Sequence, residues 1–334
     1  MQLISRESFV SAVRSRILQL ALGNSSRQQY FEQLVDYSLL GGKGLRAQLV
    51  FAGHQLVSHS SCADLPSSLI DLAAAVEIFQ ASALVHDDIA DRSSLRRGRP
   101  CLYIEAQNIL DREVEEGGKN LAVFIGDFLE AKAIQIAGSC TTYTGRSIEI
   151  SEVFAEMVAD VAYGQFLDEY YAHSDLKQLT PEIAEDIMRH KTAGYSVAYP
   201  VVLGAILAGL GRKPARVLFE SLLPLGIAFQ MRDDLIDLVG SASETGKIGT
   251  DVTNLKRTFT LSKAIELSGV QPDRLTDMTE QQVRDLINSS GAVSFTESSI
   301  ASYLHSSLES VSEQFGHNAE LLLQLSSDIA SRTK

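Results

Sequence analysis

The amino-acid sequence predicts an all-α protein, and three observations support that prediction. Apolar residues recur at helical spacing: between positions 299 and 315 they fall at 300, 303, 304, 308, 311 and 315. No long segment alternates apolar and polar residues, or has Val- and Thr-rich runs with Asn-Gly or Asp-Gly turns, as strands of a sheet do. The chain has 7 prolines, and Pro181 directly after Thr180 is typical of the start of a helix.

The same helical spacing organises the rest of the chain. It predicts helices over 7–22, 67–88 and 153–171, and a buried helix over 195–211 that contains Pro200. Breaks between helices fall near 22–26, 40–44, 58–67, 112–119, 138–145, 174–180, 240–254 and 269–278. None of them is long enough, or low enough in complexity, to separate domains. The sequence therefore predicts one helical domain over residues 1–334.

The composition predicts a folded protein with a large core and excludes one class of partner. Of the 334 residues, 45% are hydrophobic and 21% are charged, and the formal net charge is -13. An acidic chain of this kind is not expected to bind nucleic acid, because phosphates require a basic face. Three cysteines without CxxC spacing (Cys62, Cys101 and Cys140) and an N-terminus without an apolar signal core predict a cytoplasmic protein. The longest apolar stretches are too short or interrupted to span a membrane.

Two aspartate motifs occur in apolar helical contexts. Asp87 and Asp91 are four residues apart, so on a helix they share one face, with Cβ atoms roughly 5–6 Å apart. Carboxylates in such surroundings are costly unless a cation compensates them. The DDxxD spacing returns at Asp233, Asp234 and Asp237. Because Mg²⁺ prefers hard oxygen ligands and typically bridges carboxylates to substrate phosphates, the two motifs predict facing, metal-binding carboxylate clusters.

A distributed set of cations predicts a ligand of high negative charge. Arginines that donate two hydrogen bonds and lysine point charges are the groups that hold diphosphates. Glycines on both sides of Lys43 let the backbone approach a ligand closely, although this segment lacks the spacing and the preceding strand of a P-loop. The cations are Lys43, Arg46, Arg96, Arg97, Lys191, Lys247 and Lys256.

Taken in order, these segments resemble the trans-polyprenyl diphosphate synthase family, which includes the farnesyl and geranylgeranyl diphosphate synthases. Between about residues 40 and 260 the chain contains GGKxxR, DDxxDxxxxRRGxP, GQxxD (Gly164, Gln165 and Asp168), KT, AFQxxDDxxD and GKxGTD in the family's order. The C-terminal helices, 261–334, contain no motif. The resemblance implies the isoprenoid synthase fold, which is a helical bundle around a deep central cavity. It also implies a homodimer that elongates an allylic diphosphate with isopentenyl diphosphate and Mg²⁺.

The resemblance further implies a role for each motif residue. About three Mg²⁺ ions are expected with bound diphosphate, held by Asp87, Asp88, Asp91, Asp233, Asp234 and Asp237. The allylic diphosphate is expected to contact Arg96, Lys191, Thr192, Gln230, Lys247 and Lys256. Isopentenyl diphosphate is expected to contact Lys43, Arg46, Gln80 and Arg97. The residues expected to be catalytic, because they act on the leaving diphosphate, are Asp87, Asp88, Asp91, Arg96, Lys191, Asp233 and Lys247.

The chain departs from the family pattern at a few positions. Gly44 replaces a common arginine, Ala47 a common proline and Gln80 a frequent histidine, although a glutamine still donates a hydrogen bond to phosphate. In the family, bulky aromatic residues four or five positions before the first aspartate stop the product at C15. Here those positions hold Ala83 and Ser82, so the resemblance implies a product of C20, geranylgeranyl diphosphate, or longer.

Two other functions remain open on the sequence. A class I terpene cyclase shares the fold and ionises an allylic diphosphate, but it needs no site for a second substrate. Lys43, Arg46 and Arg97, together with an intact second aspartate motif where cyclases usually carry an NSE-type motif, favour elongation. A non-catalytic subunit of a heteromeric synthase tends to lose its aspartates, and all six are present here.

Overall fold

A computed structural model of the chain describes residues 5–23, 27–58, 66–110, 116–140, 147–239 and 256–330. Within these ranges the chain is helical, with one β-hairpin of two-residue strands as the exception. The all-α prediction is therefore confirmed. The helices are α1 (Arg6–Leu22), α2 (Gln29–Leu39), α3 (Leu45–Val57), α4 (Ser67–Ala90), α5 (Leu102–Asn108), α6 (Gly117–Ser139), α7 (Ser147–Ala172), α8 (Pro181–Met188), α9 (Tyr199–Leu207), α10 (Arg212–Val239), α11 (Phe259–Ser268), α12 (Glu280–Ser289), α13 (Ala292–Phe315) and α14 (Glu320–Ala330).

The chain divides into two compact units. The first comprises Met1–Glu156 with Pro200–Ala215, and the second comprises Met157–Tyr199 with Arg216–Lys334. The prediction of a single domain over 1–334 stays a prediction.

Close backbone approaches at glycines determine how helices pack in the first unit. A Cβ added at Gly53 on α3 would lie 1.9 Å from the carbonyl oxygen of Val201 on α9, and one at Gly204 would lie 1.9 Å from that of Val50. These two helices therefore touch along their backbones, a contact that only glycine permits. Because α3 begins directly after the Lys43 segment, this contact fixes the helix that carries Arg46.

Helix α4 packs against α6 and ends in the first aspartate motif. The Ser82 hydroxyl donates a hydrogen bond to the Gly126 carbonyl at 2.8 Å. A Cβ at Gly126 would lie 2.2 Å from Nε2 of His86, so the imidazole lies directly against α6. Among the described helices, α4 alone is long and apolar enough to cross a membrane, but most of its apolar stretch is buried within the protein. A core helix passes the same test, so this is weak evidence for a span.

The described residues of the second unit include two apolar clusters and several helices with side-chain caps. Thr180 caps α8 by accepting a hydrogen bond from the Ile183 amide at 3.3 Å, and Pro181 occupies the first turn, as predicted. Thr279 and Gln282 form a reciprocal capping box at the start of α12. One cluster joins α11, α12 and the end of α10, and the other joins α8, α10 and α13. These clusters hold the helix that carries the second aspartate motif.

A π-helical segment, Arg189–Ala198, follows α8. Glycines of two neighbouring helices touch its backbone: a Cβ at Gly164 on α7 would lie 2.1 Å from the Lys191 nitrogen, and one at Gly226 on α10 would lie 2.4 Å from the Ala193 oxygen. Such widened turns are frequent at functional sites. This one contains both Lys191 and Thr192.

Candidate diphosphate-binding site

The first aspartate motif lies at the C-terminal end of α4. Asp87 and Asp88 belong to its last turn, and Asp91 is its C-cap, with a backbone N–H that donates to the Asp87 carbonyl at 2.8 Å. Carboxylates are disfavoured at this end because the helix dipole is negative there. Asp88 is buried, Asp87 is half-buried and Asp91 is exposed. The turn therefore needs a nearby cation.

Arg96 supplies that cation. Its Nε donates to Oδ1 of Asp88 at 2.8 Å, and its Nη2 donates to Oδ2 of Asp87 at 3.2 Å and also to Asp88. Burial alone would lower the pKa of Arg96, but the hydrogen bond and charge of Asp88, followed by the charge of Asp87, outweigh it and raise the pKa. Arg96 is therefore permanently cationic and held in one orientation.

The arginine pair belongs to a tight β-hairpin, β1 (Leu95–Arg96) and β2 (Arg99–Pro100). Its two turn residues, Arg97 and Gly98, have φ of 55° and 74°. Two consecutive positive φ values are the signature of a type I′ turn, which favours asparagine or glycine, so Arg97 is strained there by about 1 kcal/mol. The Tyr37 hydroxyl donates to the Pro100 carbonyl at 2.8 Å and anchors the hairpin to α2.

The two adjacent arginines of the hairpin, Arg96 and Arg97, lie in different surroundings. Arg97 donates from Nη1 to the Leu40 carbonyl at 3.2 Å, and its guanidinium lies against Gly41 and Gly42, where an added Cβ would come within 3.3 Å and 3.0 Å of it. Burial lowers the pKa of Arg97, and the charges of Arg96 and Arg46 lower it further, while Glu77 opposes them. Arg97 and Arg46, both predicted to contact isopentenyl diphosphate, therefore lie within electrostatic range of each other.

A cavity of about 480 Å³ opens beside Arg97 in the first unit. Gln80 lines it, and the Gln80 Oε1 atom is buried without a hydrogen-bond partner among the described residues. Lys43 is exposed, and its carbonyl accepts a hydrogen bond from Nε2 of Gln48 at 2.9 Å. Two of the four residues predicted for isopentenyl diphosphate thus line the cavity, and the other two lie at the start of α3.

An acidic residue outside the sequence motifs also lines this cavity. Glu77 on α4 accepts a hydrogen bond from the Ala47 amide at 2.9 Å, in the first turn of α3. Helix α3 has no side-chain cap of its own, because its N-cap is Gly44. Glu77 therefore satisfies a helix end from a neighbouring helix. A glutamate three residues before Gln80 was the only sequence signal for this role.

The second aspartate motif lies on α10. Nε2 of Gln230 donates to Oδ1 of Asp234 at 2.7 Å, one turn away on the same helix. Asp234 is buried, whereas Asp233 and Asp237 are half-buried. The two motifs thus share one pattern: the middle aspartate is buried and engaged with a neighbouring side chain, and the outer two are more accessible.

Lys191 reaches an aspartate of the predicted GQxxD motif. Its Nζ donates to Oδ2 of Asp168, and both side chains are mostly buried. The preceding residue, His190, has Nδ1 2.5 Å from Oδ1 of Asp160 and Nε2 3.6 Å from Oδ1 of Asp186. Contacts with aspartates therefore hold two consecutive residues of the π-helical segment. The sequence did not indicate the second pair, because a histidine and an aspartate 30 residues apart form no motif.

The remaining predicted contacts lie at the edge of the described chain. Lys247 lies outside the described residues, and Lys256 is half-buried at the start of the next range. Its neighbour Arg257 is buried and donates from Nη2 to the Ser174 carbonyl at 2.7 Å. Thr192 is half-buried in the π-helical segment.

Comparison with known proteins gives consistent matches over most of the chain. A sequence model described as polyprenyl synthetase matches residues 28–292. Farnesyl pyrophosphate synthase from Saccharomyces cerevisiae is 28% identical over 324 residues, which cover 91% of this chain and 89% of that protein. The crystal structure of geranylgeranyl pyrophosphate synthase from Corynebacterium glutamicum, complexed with isoprenyl diphosphate and magnesium, has a TM-score of 0.87 at 26% identity and covers 98% of this chain and 100% of that one. Polyprenyl synthase from Caulobacter crescentus, complexed with calcium and isoprenyl diphosphate, has a TM-score of 0.80 at 26% identity with 100% of both chains covered.

Proposed function

Because the chain belongs to the polyprenyl synthetase family and is a prenyltransferase, we propose that it condenses isopentenyl diphosphate with a dimethylallyl, geranyl or farnesyl diphosphate. The product is an all-trans polyprenyl diphosphate of C20 or longer. The observation that supports this best is the divergence of Arg96 and Arg97 from one hairpin turn. Arg96 pairs with two aspartates, and Arg97 lines a separate cavity. A reaction between two diphosphates requires two such cationic positions.

The donor set fits Mg²⁺. Asp87 and Asp91, one helical turn apart, are the accessible members of the first motif, and Asp233 and Asp237 are those of the second. Among the described residues, no three His, Cys, Asp or Glu side chains converge on a metal-sized position. Mg²⁺ takes one or two carboxylates and completes its coordination with waters and substrate phosphates, so two accessible carboxylates in each motif fit it. When bound, Mg²⁺ supplies positive charge that stabilises the leaving diphosphate.

The two buried aspartates act differently in this proposal. Asp88 already receives two hydrogen bonds from Arg96, and Asp234 receives one from Gln230. We propose that Asp88 and Asp234, in addition to their expected role at the metal ions, orient these two diphosphate-binding side chains, and that the outer aspartates of each motif are the more accessible metal ligands.

The cations of the site drive the first chemical step. Ionisation of the allylic C–O bond puts negative charge on the departing diphosphate, so groups already positioned against it lower the barrier. The alkene of isopentenyl diphosphate then attacks the allylic cation, and the released diphosphate accepts the proton that is lost. The residues assigned to the allylic diphosphate are Arg96, Lys191, Thr192, Gln230, Lys247 and Lys256. Those assigned to isopentenyl diphosphate are Lys43, Arg46, Gln80 and Arg97.

The proposed chain length rests on the end of α4. Ala83 and Ser82, four and five residues before Asp87, are small and leave room for a tail longer than C15. The Saccharomyces cerevisiae relative is a farnesyl pyrophosphate synthase, and the Corynebacterium glutamicum structure is a geranylgeranyl pyrophosphate synthase. These two relatives make products of different length, so the proposal of C20 or longer rests on Ala83 and Ser82.

We also propose that the protein is a homodimer in the cytoplasm. Tyr163, Phe166 and Tyr170 on α7 are 49%, 61% and 52% exposed and share one helix face. Contiguous exposed aromatic residues are typical of a contact surface. Light scattering during size-exclusion chromatography should give twice the chain mass of 36.4 kDa, and a monomer would contradict the dimer.

The decisive experiment is direct. The purified full-length chain is incubated with isopentenyl diphosphate, MgCl₂ and each allylic primer in turn, and the dephosphorylated products are identified by mass spectrometry. Linear prenyl alcohols of C20 or longer are expected, and chelation of the metal should abolish them. Asp87→Asn should remove activity, whereas Asp285→Asn on the exposed face of α12 should not. No prenyl product from any primer would contradict the proposal, and a cyclic hydrocarbon would identify a terpene cyclase.

A further inference from the structure

Helix α1 brings a cation to the cavity that contains Arg97 and Gln80. Arg14 lines this cavity, and its Nη2 donates to the Gly42 carbonyl at 2.6 Å. No other hydrogen bond or ion pair of the Arg14 side chain occurs within the described residues. A guanidinium has five N–H donors in a rigid, planar arrangement. Most of the Arg14 donors are therefore available to a ligand in the cavity.

Arg14 and Arg97 both donate hydrogen bonds to the loop between α2 and α3, residues 40–44. Arg97 donates to the Leu40 carbonyl at 3.2 Å, Arg14 to the Gly42 carbonyl, and Gln48 to the Lys43 carbonyl at 2.9 Å. Three carbonyl oxygens of one short segment are thus bonded to protein donors. Carbonyl oxygens would repel an anion, so tying them to donors favours anion binding.

The loop itself has no room for another cationic side chain. Gly44 has φ of 65°, and a Cβ added there would lie 2.9 Å from Cγ1 of Val10 on α1. Helix α1 therefore packs directly against the loop, and any side chain at position 44 would be both strained and in collision with it. The same close packing brings Arg14, one turn further along α1, to the cavity wall.

The charged lining of the cavity consists of two arginines and two carboxylates. Its cations are Arg14 and Arg97, and its acids are Asp36 and Glu77. Glu77 is engaged with the Ala47 amide, and Asp36 is exposed. We propose that Arg14 binds the diphosphate of isopentenyl diphosphate together with Arg97. This inference rests on the proposed function, because it names a further binding residue for the same substrate.

The test separates the two substrates. Arg14→Gln should raise KM for isopentenyl diphosphate by about tenfold, the loss expected for one charge-assisted contact, while KM for the allylic diphosphate and kcat stay within about twofold. Arg14→Lys should recover part of the loss because it keeps the charge. Arg16→Gln is the matched control: Arg16 lies two residues away and pairs with Asp71 at 3.0 Å outside the cavity, so its kinetics should equal those of the wild type.

A calorimetric titration with isopentenyl diphosphate alone, without primer, measures the same contact apart from turnover. Arg14→Gln should weaken binding by a similar factor with an unchanged thermal midpoint. An unchanged KM and affinity for isopentenyl diphosphate would overturn the inference, and so would an equal rise in KM for both substrates or a drop in kcat alone. If the wild type binds isopentenyl diphosphate but forms no product, the proposed function fails while the role of Arg14 in binding can still be measured.

Discussion

Arg96 joins two aspartates of one helix end: its Nε lies 2.8 Å from Oδ1 of Asp88 and its Nη2 lies 3.2 Å from Oδ2 of Asp87. Arg96→Lys keeps the charge but loses the planar arrangement of donors, so it cannot bind both carboxylates and a diphosphate in fixed geometry. We expect kcat/KM for the allylic diphosphate to fall about 10- to 100-fold and KM for isopentenyl diphosphate to stay unchanged. Steady-state kinetics with each substrate varied in turn is the measurement.

Arg92→Lys is the control for that change. Arg92 follows the same motif but is exposed, and its replacement should leave both kinetic constants as they are. Wild-type rates in Arg96→Lys would show that the guanidinium geometry is unimportant.

Product length can be tested at two adjacent positions that the structure distinguishes. Ser82 is fully buried and bonded to the Gly126 carbonyl, whereas Ala83 is half-buried on the face of Asp87. Ala83→Phe should therefore shorten the product while the protein stays folded. Ser82→Phe should also shorten it but at a cost of about 1–3 kcal/mol in stability from overpacking against α6.

The measurement is product chain length by mass spectrometry, accompanied by the thermal midpoint of each variant. An unchanged product from a folded Ala83→Phe variant would remove the argument from small residues. In that event chain length would have to be set elsewhere.

The backbone contact between α3 and α9 gives a prediction about stability. Gly53→Ala would place a Cβ 1.9 Å from the Val201 carbonyl oxygen, so the helices must separate, at an expected cost of about 2–4 kcal/mol in the free energy of unfolding. Gly138→Ala on α6 is the matched substitution, because its nearest neighbour is a serine hydroxyl at 3.4 Å. It should be neutral or stabilising by up to about 1 kcal/mol, since alanine is the better helix former. Urea unfolding of both variants is the measurement, and equal midpoints would contradict the prediction.

Tyr303 gives a prediction about alkaline pH. Its hydroxyl donates to Oε2 of Glu185 at 2.9 Å, and burial, together with that hydrogen bond and the charge of Glu185, raises its pKa from 10.0 to about 12. The unfolded chain therefore loses this proton first as pH rises, so the stability that the pair contributes is fully present below about pH 10 and is lost between pH 10 and about 12.

Tyr303→Phe isolates the effect, because it keeps the ring and removes the titrating hydroxyl. The difference in free energy of unfolding between the wild type and this variant should be constant from pH 8 to about 10 and should decline above that. A difference that stays constant up to pH 11 would show that the hydroxyl titrates normally.

The sequence predicted the helices and the chemistry of the motifs because both are local signals. Helical spacing marks α4 and α13, and DDxxD spacing places Asp87 with Asp91 on one face wherever the chain folds. The widened turn at Lys191 could not be predicted, since its register depends on close contacts with Gly164 and Gly226, which come from two other helices. The register of this π-helical segment determines whether the Lys191 ammonium reaches Asp168.

Contacts between distant segments were likewise not accessible from sequence. The sequence around Arg14 predicts only a helix with apolar residues at helical spacing. The position of Arg14 beside the cavity depends on how closely Val10 approaches Gly44. In the sequence, Glu77 is a polar residue within an apolar helix. Its hydrogen bond with the Ala47 amide depends on how α3 packs beside α4. In both cases the residue type fits several roles, and only tertiary packing selects one.

The two-residue turn at Arg97 and Gly98 limits how this segment can vary in length. Arg96 pairs with Arg99 across the hairpin, so an insertion or deletion in the turn would shift Arg96 and Arg97 at once. The contacts of Arg96 with Asp88 and of Arg97 with the Leu40 carbonyl therefore depend on one short stretch of backbone.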